Sequence, residues 1–160
     1  MSRHGLEDGD GDYDDNLQAG RWAGALKSAI RGKRGQAFLR ELAAALDAMP
    51  VKELIESELV STTGECCALG AVAISRGIDV SEVILDDDGA NAAHVFGISQ
   101  TLVRAIEYEN DDAEWPVWPP RPGERPVGWT YKQELERHKS RRWLVAREWV
   151  RRNIAEPSPA

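Results

Sequence analysis

The sequence predicts a mainly α fold: a compact helical domain of about six helices, with room for one short β-hairpin near residues 54–67. Three observations lead there. Apolar residues recur at helical spacing in several successive segments. Those segments are bounded by cap-type residues, glycines and prolines. The 42% apolar share of 160 residues is enough for one core without disulfide staples.

Taken in order, residues 1–19 hold Asp8, Asp10, Asp12, Asp14 and Asp15. Low hydrophobicity and self-repulsion predict a disordered acidic tail there. The alternating aspartates look like a calcium loop. Tyr13, however, stands where the turn glycine is required, and no glutamate closes the loop, so no calcium site is expected. A helix is predicted over 20–31 from Trp22, Leu26, Ala29 and Ile30. Gly32-Lys33-Arg34-Gly35 breaks it, and a second helix runs from about Gln36 to Ala48, with Phe38, Leu39, Leu42, Leu46 and Met49 on one face and Pro50 as the stop. The short link makes the two a helical hairpin.

Residues 54–60 do not alternate cleanly and read as a short strand or a helical turn. Ser61-Thr62-Thr63-Gly64 is a turn, and Glu65-Cys66-Cys67 is a candidate return strand. The helix over about 67–76 is rich in alanine, and Gly70 permits close approach of a neighbour; Gly77 is its C-cap. A short helix opened by Ser81 is expected over 80–85. Asp86 to Gly89 cap a helix ending near Phe96, and Ser99 caps another through about Glu109. Five prolines and three tryptophans make 115–129 an extended connector, with Trp115, Trp118 and Trp129 covering the core. Thr130 and Gln133 form a capping box for the last helix, 130–154. Its apolar side is read as Tyr131, Leu135, Val145, Ala146, Trp149 and Val150, with His138 as a hydrogen-bonded core histidine. Residues 20–154 thus form one domain, and 155–160 a frayed tail.

The net charge of −7 is segregated. Residues 20–40 carry six bases and no acid; residues 41–114 carry sixteen acids and three bases; residues 130–154 carry eight bases and three acids. Such blocks steer partners if they separate in space and neutralise one another if they do not. No apolar run of about 18 residues exists, so no membrane span is predicted. The N-terminus has no apolar core of a secretory signal, which points to the cytoplasm.

Four features carry candidate chemistry. Residues 92–106 are similar to a helix-turn-helix, with Ala93 at the helix contact, Gly97 in the turn and Ile98, Val103 and Ile106 as apolar anchors. Ser99, Gln100, Thr101 and Arg104 would then face a DNA groove. The surrounding acids oppose phosphate. The loop of Arg31, Lys33 and Arg34, freed by Gly32 and Gly35, is a candidate anion or nucleic-acid contact; the spacing of a nucleotide P-loop is absent. Cys66 and Cys67 lack a second pair for zinc. Cys67 near a helix start, with His94 or His138 as base, is the one nucleophile candidate; two core thiols are the plainer reading. Pro119-Pro120-Arg121-Pro122 is either a polyproline ligand or a stiff strap.

The run Ser28-Ala-Ile-Arg-Gly-Lys-Arg-Gly-Gln36, followed by Cys67-Ala-Leu-Gly-Ala71, Phe96-Gly-Ile98, Asn110-Asp111 and Arg142-Trp143 with Trp149-Val150, resembles small uncharacterised accessory proteins of bacteriophages, prophages and plasmids. The resemblance implies action inside a bacterial host and carries over no catalytic residue.

The expectation is therefore a non-enzymatic accessory protein, without metal or cofactor. It would bind a host protein or ribonucleoprotein, such as a defence nuclease, and inhibit it through an acidic face. Glu53, Glu56, Glu58, Asp86, Asp87, Asp88, Glu107, Glu109, Asp111 and Asp112 are the candidates for that face. The alternatives are a DNA-binding regulator using residues 92–106, and a cysteine-dependent enzyme or small-ligand binder.

Overall fold

The computed structural model describes residues 10–86, 88–111 and 118–156. Six α-helices follow one another among them: α1 (Asp10–Arg31), α2 (Lys33–Ala48), α3 (Ala68–Arg76), α4 (Ala90–Phe96), α5 (Gln100–Asp111) and α6 (Tyr131–Asn153). A single 3-10 turn, Val80–Glu82, lies between α3 and α4. The mainly helical fold and the helix order are those the periodicity predicts. Among the described residues the strand content reduces to one isolated antiparallel bridge, Val60 to Cys66. The backbone bonds Ser61 N to Glu65 O and Cys67 N to Leu59 O close the turn around it.

α2 lies centrally because its inward face is apolar from end to end: Phe38, Leu39, Leu42, Ala43, Ala45 and Leu46 are all buried. α3 packs on it through Leu69, Val72 and Ala73. α5 adds Leu102, Val103, Ala105 and Ile106, and the second half of α6 adds Ala146, Trp149 and Val150. Arg76 pins three helices together. It makes a two-pronged ion pair with Glu41, 2.6 and 2.7 Å, and donates to the Phe96 carbonyl. Its guanidinium lies over the rings of Phe38 and Phe96.

Several boundaries differ from the sequence expectation, each for a physical reason. α1 begins at Asp10, so residues 10–19 are helical rather than a disordered tail; residues 1–9 lie outside the described residues. A helix N-terminus favours carboxylates, and no proline stands between Asp10 and Trp22, so the helix runs through Gly11 and Gly20. The break between α1 and α2 is Gly32 alone, because Lys33 and Arg34 are good helix formers. A Cβ on Gly35 would lie 1.8 Å from the Ala29 carbonyl oxygen, which is how closely the two helices meet. The turn at 80–82 is capped by Asp79, whose Oδ1 accepts from Ser81 N, and not by Ser81. Ala155 is held, not frayed: its N–H donates to Gln36 Oε1 and its carbonyl accepts from Arg40. Residues 157–160 lie outside the described residues.

The caps follow the sequence closely. Gly77 and Gly97 are left-handed C-caps. Ser99 Oγ accepts from Leu102 N. Thr130 and Gln133 form the capping box of α6.

The inward face of α6 departs most. Tyr131 and Leu135 are exposed. Glu134, His138 and Arg142, spaced four residues apart on one face, are buried in their place. The neighbours explain this. Glu134 accepts from Arg125 (2.9 and 3.2 Å) and from the Trp129 indole (2.7 Å), both in the connector. Arg142 donates to the Leu54 carbonyl, and the Leu54 N–H donates to the Lys139 carbonyl. The connector is therefore held by a buried carboxylate rather than by tryptophans spread over the core. Trp118 stays 44% exposed and meets Tyr131 edge-on; Trp115 lies outside the described residues.

Candidate functional site

The Cys66-Cys67 pair organises the two concave regions of interest. The backbone is extended there, so successive side chains point to opposite sides. Cys66 lines an apolar cleft between α2 and α3. Cys67 lines a small crevice together with Glu58, Leu85, Glu107 and Asp111.

The crevice is built by α5. Asn110 is buried and bridges three segments: its Oδ1 accepts from Ala68 N at the start of α3, and its Nδ2 donates to the Ile55 carbonyl. That fixes the roll of α5 and carries Glu107 and Asp111 to the crevice. Asp86 faces Glu107, with Oδ1 buried and unpaired. Burial pushes the Glu107 carboxyl above its ordinary pKa, and the negative charges of Asp111 and Asp86 push it further, while Arg104 pulls the other way. The Cys67 thiol is pushed up to about 12, chiefly by burial and also by Asp111; its sulfur accepts from Gly70 N at the start of α3. At neutral pH it is a protonated thiol, a poor nucleophile. Burial raises the Cys66 pKa as well.

Among the described residues, the acidic candidates do not form one continuous face. Glu58, Asp86, Glu107 and Asp111 come together as described. Glu56 pairs with Arg142 of α6 at 3.3 Å. Glu53 stands half-buried between the apolar cleft and a shallow groove along the start of α6. Asp88 accepts from Ala90 N at the start of α4. Glu109 is partly buried, which raises its pKa, and Arg152 offsets this. Asp87 and Asp112 lie outside the described residues. α6 also neutralises other acids of the middle block, through Arg147 with Asp47 (2.7 Å) and Lys139 with Glu65 (2.8 Å). Part of the charge segregation in the sequence is therefore folded back on itself.

The basic candidates fall in two places. Arg31, Lys33 and Arg34 are exposed around the α1–α2 joint. Gln100 and Arg104 are exposed on α5. The α4–α5 corner has the burial pattern expected of a helix-turn-helix: Ala92, Ala93, Phe96, Ile98, Val103 and Ile106 are all buried. Yet α1 runs beside the outward face of α5. Trp22, Arg104, Glu107, Tyr108 and Asp111 together line a cavity of 420 Å³ there, so Arg104 shares its surroundings with two carboxylates.

Sequence reasoning missed Glu134, Arg142 and Asn110. Only Asn110 carried a signal, its place on the inward face of α5 after Leu102, Val103, Ala105 and Ile106; Glu134 and Arg142 lie on the half of α6 whose inward face is polar. Among the described residues, no group of three or more His, Cys, Asp or Glu is arranged to hold a metal ion, and no helix is long and apolar enough to cross a membrane.

The class defined by these features is a small helical domain with a carboxylate cluster on one side of a cysteine pair and an apolar cleft on the other. No protein-family model matches the chain, and neither a curated protein nor a solved structure is significantly similar to it.

Proposed function

We propose that the protein is a non-enzymatic accessory protein of a bacteriophage, prophage or plasmid. In this reading it binds a basic surface of a host protein or ribonucleoprotein, such as a defence nuclease, and blocks it. The observation that carries the reading is the convergence of Glu58, Asp86, Glu107 and Asp111. The negative charges of Asp111 and Asp86 add to burial in disfavouring the ionised form of Glu107 in the free protein. An arginine- or lysine-rich surface that docks there relieves that repulsion, and the charge complementarity favours rapid capture and selects against acidic partners. The reading needs only this cluster, not all ten carboxylates.

The test is affinity capture from a bacterial lysate with the wild-type protein and with the Glu58→Gln, Glu107→Gln, Asp111→Asn triple variant. The expected result is a basic partner retained at low salt, released by about 0.5 M salt as screening shortens the Debye length, and lost in the variant. Identical capture by both proteins overturns the reading.

A second reading, a DNA-binding regulator, is favoured by the helix-turn-helix burial pattern of residues 92–106. It predicts a mobility shift at low salt that Arg104→Ala abolishes. The flanking carboxylates and α1 beside α5 weigh against it.

A further inference from the structure

The apolar cleft is separate from the carboxylate cluster and carries its own chemistry. Its volume is 520 Å³, in the range of small-molecule sites, about 300–1,000 Å³. Ala45, Ala48 and Ala71 line it and leave the space because their side chains are short. Val51 and Ile74 remain 58% and 53% exposed in its wall, so apolar surface stands open to water at the place where an occupant would cover it.

The electrostatics of the cleft have one sign. The charged side chains in its lining are Glu53 and Glu65. Glu65 already holds Lys139. Glu53 is half-buried and makes no ion pair among the described residues; Lys132 and Arg137 line the neighbouring groove, but Arg137 reaches Glu134 instead. Lys52, next in sequence, is turned away onto the carbonyls of Leu46, Asp47 and Met49. Ala45 and Ala48 belong to the last turn of α2, whose final carbonyls Lys52 caps, and Ile74 and Ser75 to the last turn of α3, the negative end of its dipole, while Ala71 comes from the first half of α3.

We propose that this cleft binds a small organic cation, an apolar body of phenyl size or larger seated among Ala45, Ala48 and Ala71 with one ammonium group against Glu53. The apolar walls supply the affinity, and the carboxylate sets the orientation and rejects anions. This site does not depend on the carboxylate cluster, so the two stand or fall separately.

Two probes of matched shape and opposite charge test it: 2-phenylethylamine and phenylacetate, titrated into the full chain while amide resonances are followed by NMR. The expected result is saturable shifts at Ala71 and Ile74 with the amine, and binding of phenylacetate about tenfold weaker or less. Glu53→Gln should erase most of that difference. Ala48→Phe, at an exposed helical position, should fill the cleft and abolish the shifts while the spectrum stays dispersed. Equal affinity for the two probes overturns the proposal, as do amine-induced shifts confined to the Glu58, Glu107 and Asp111 side. Binding of acetyl-Phe-Arg-amide without binding of the amine also overturns it, and makes the cleft an anchor for a peptide partner.

Discussion

At the scale of single residues, Gly70 shows how closely the backbone is packed, as Gly35 does between α1 and α2. A Cβ on Gly70 would lie 1.9 Å from the Leu59 carbonyl oxygen, and neither partner is the movable end of a side chain. Gly70→Ala is expected to cost about 2 kcal/mol, the usual range for forcing an atom into a filled core, read as a lower urea midpoint with an unchanged slope. The value of Gly70 was legible in the sequence as a need for close approach; the partner was not. It is the turn at residue 59, not a second helix. Glu134 was illegible for the opposite reason. A glutamate in the first turn of a charged helix looks like any solvated one, and its partners Arg125 and Trp129 sit in an irregular connector whose path no periodicity predicts. The same holds for Asn110, whose two backbone partners, Ala68 and Ile55, come from distant segments.

At the scale of elements, the helices were legible wherever a cap and an apolar stripe coincided, as at Ser99, at Thr130 with Gln133, and at Gly77. α1 was half legible, since residues 15–20 are all exposed and carry no apolar stripe. What holds α1 is its last turn. Gln36 donates to the Ile30 carbonyl at 2.7 Å and to the Asn153 carbonyl at 2.9 Å, and accepts from Ala155 N at 2.8 Å. One buried amide thus joins the ends of α1 and α6 to the start of α2. Gln36→Leu keeps the volume and strands two carbonyls and one N–H. Each unpaired buried group costs about 1–3 kcal/mol, softened here by partial access to water, so a loss of about 2 kcal/mol is expected in urea unfolding. Hydrogen exchange should rise in the last turns of α1 and α6 and remain unchanged in α3. Uniformly raised exchange would show that the residue acts only through global stability.

At the scale of the whole molecule, the carboxylates divide into two sets with opposite responses to acid. Glu107 and Glu109 sit above their ordinary pKa because they are partly buried. Glu41, Asp47 and Glu148 sit below theirs because of hydrogen bonds to Arg76, Arg147 and Arg151. Glu134 is lowered to about 2, first by its bond to Arg125. Just above the unfolded value of 4.5 for glutamate, the folded protein binds more protons than the unfolded chain, so stability rises as pH falls through that window. Below 4.5 and down toward 2, the unfolded chain binds more, and stability falls. Urea midpoints measured across pH should therefore pass through a maximum on the mildly acidic side. Glu107→Gln should flatten the rise, and Glu134→Gln should flatten the fall while lowering stability at pH 7, because Arg125 loses its partner. A midpoint that declines steadily from pH 7 would contradict the crowding of carboxylates around Glu107. The carboxylate cluster around Glu107 was legible only as a surplus of acids in residues 41–114. Which acids α6 cancels depends on how its arginines are aimed, and that is a property of the packed molecule.

The two cysteines make the partition between the apolar cleft and the carboxylate crevice a single residue thick. Cys67 also caps α3 through Gly70 N, so a movement of that peptide passes straight into the helix both compartments share. An amine seated beside Cys66 and a basic partner seated beside Cys67 would pull on one lever from either end. Thermodynamic reciprocity then requires that whatever one occupant does to the other's affinity is returned in equal measure.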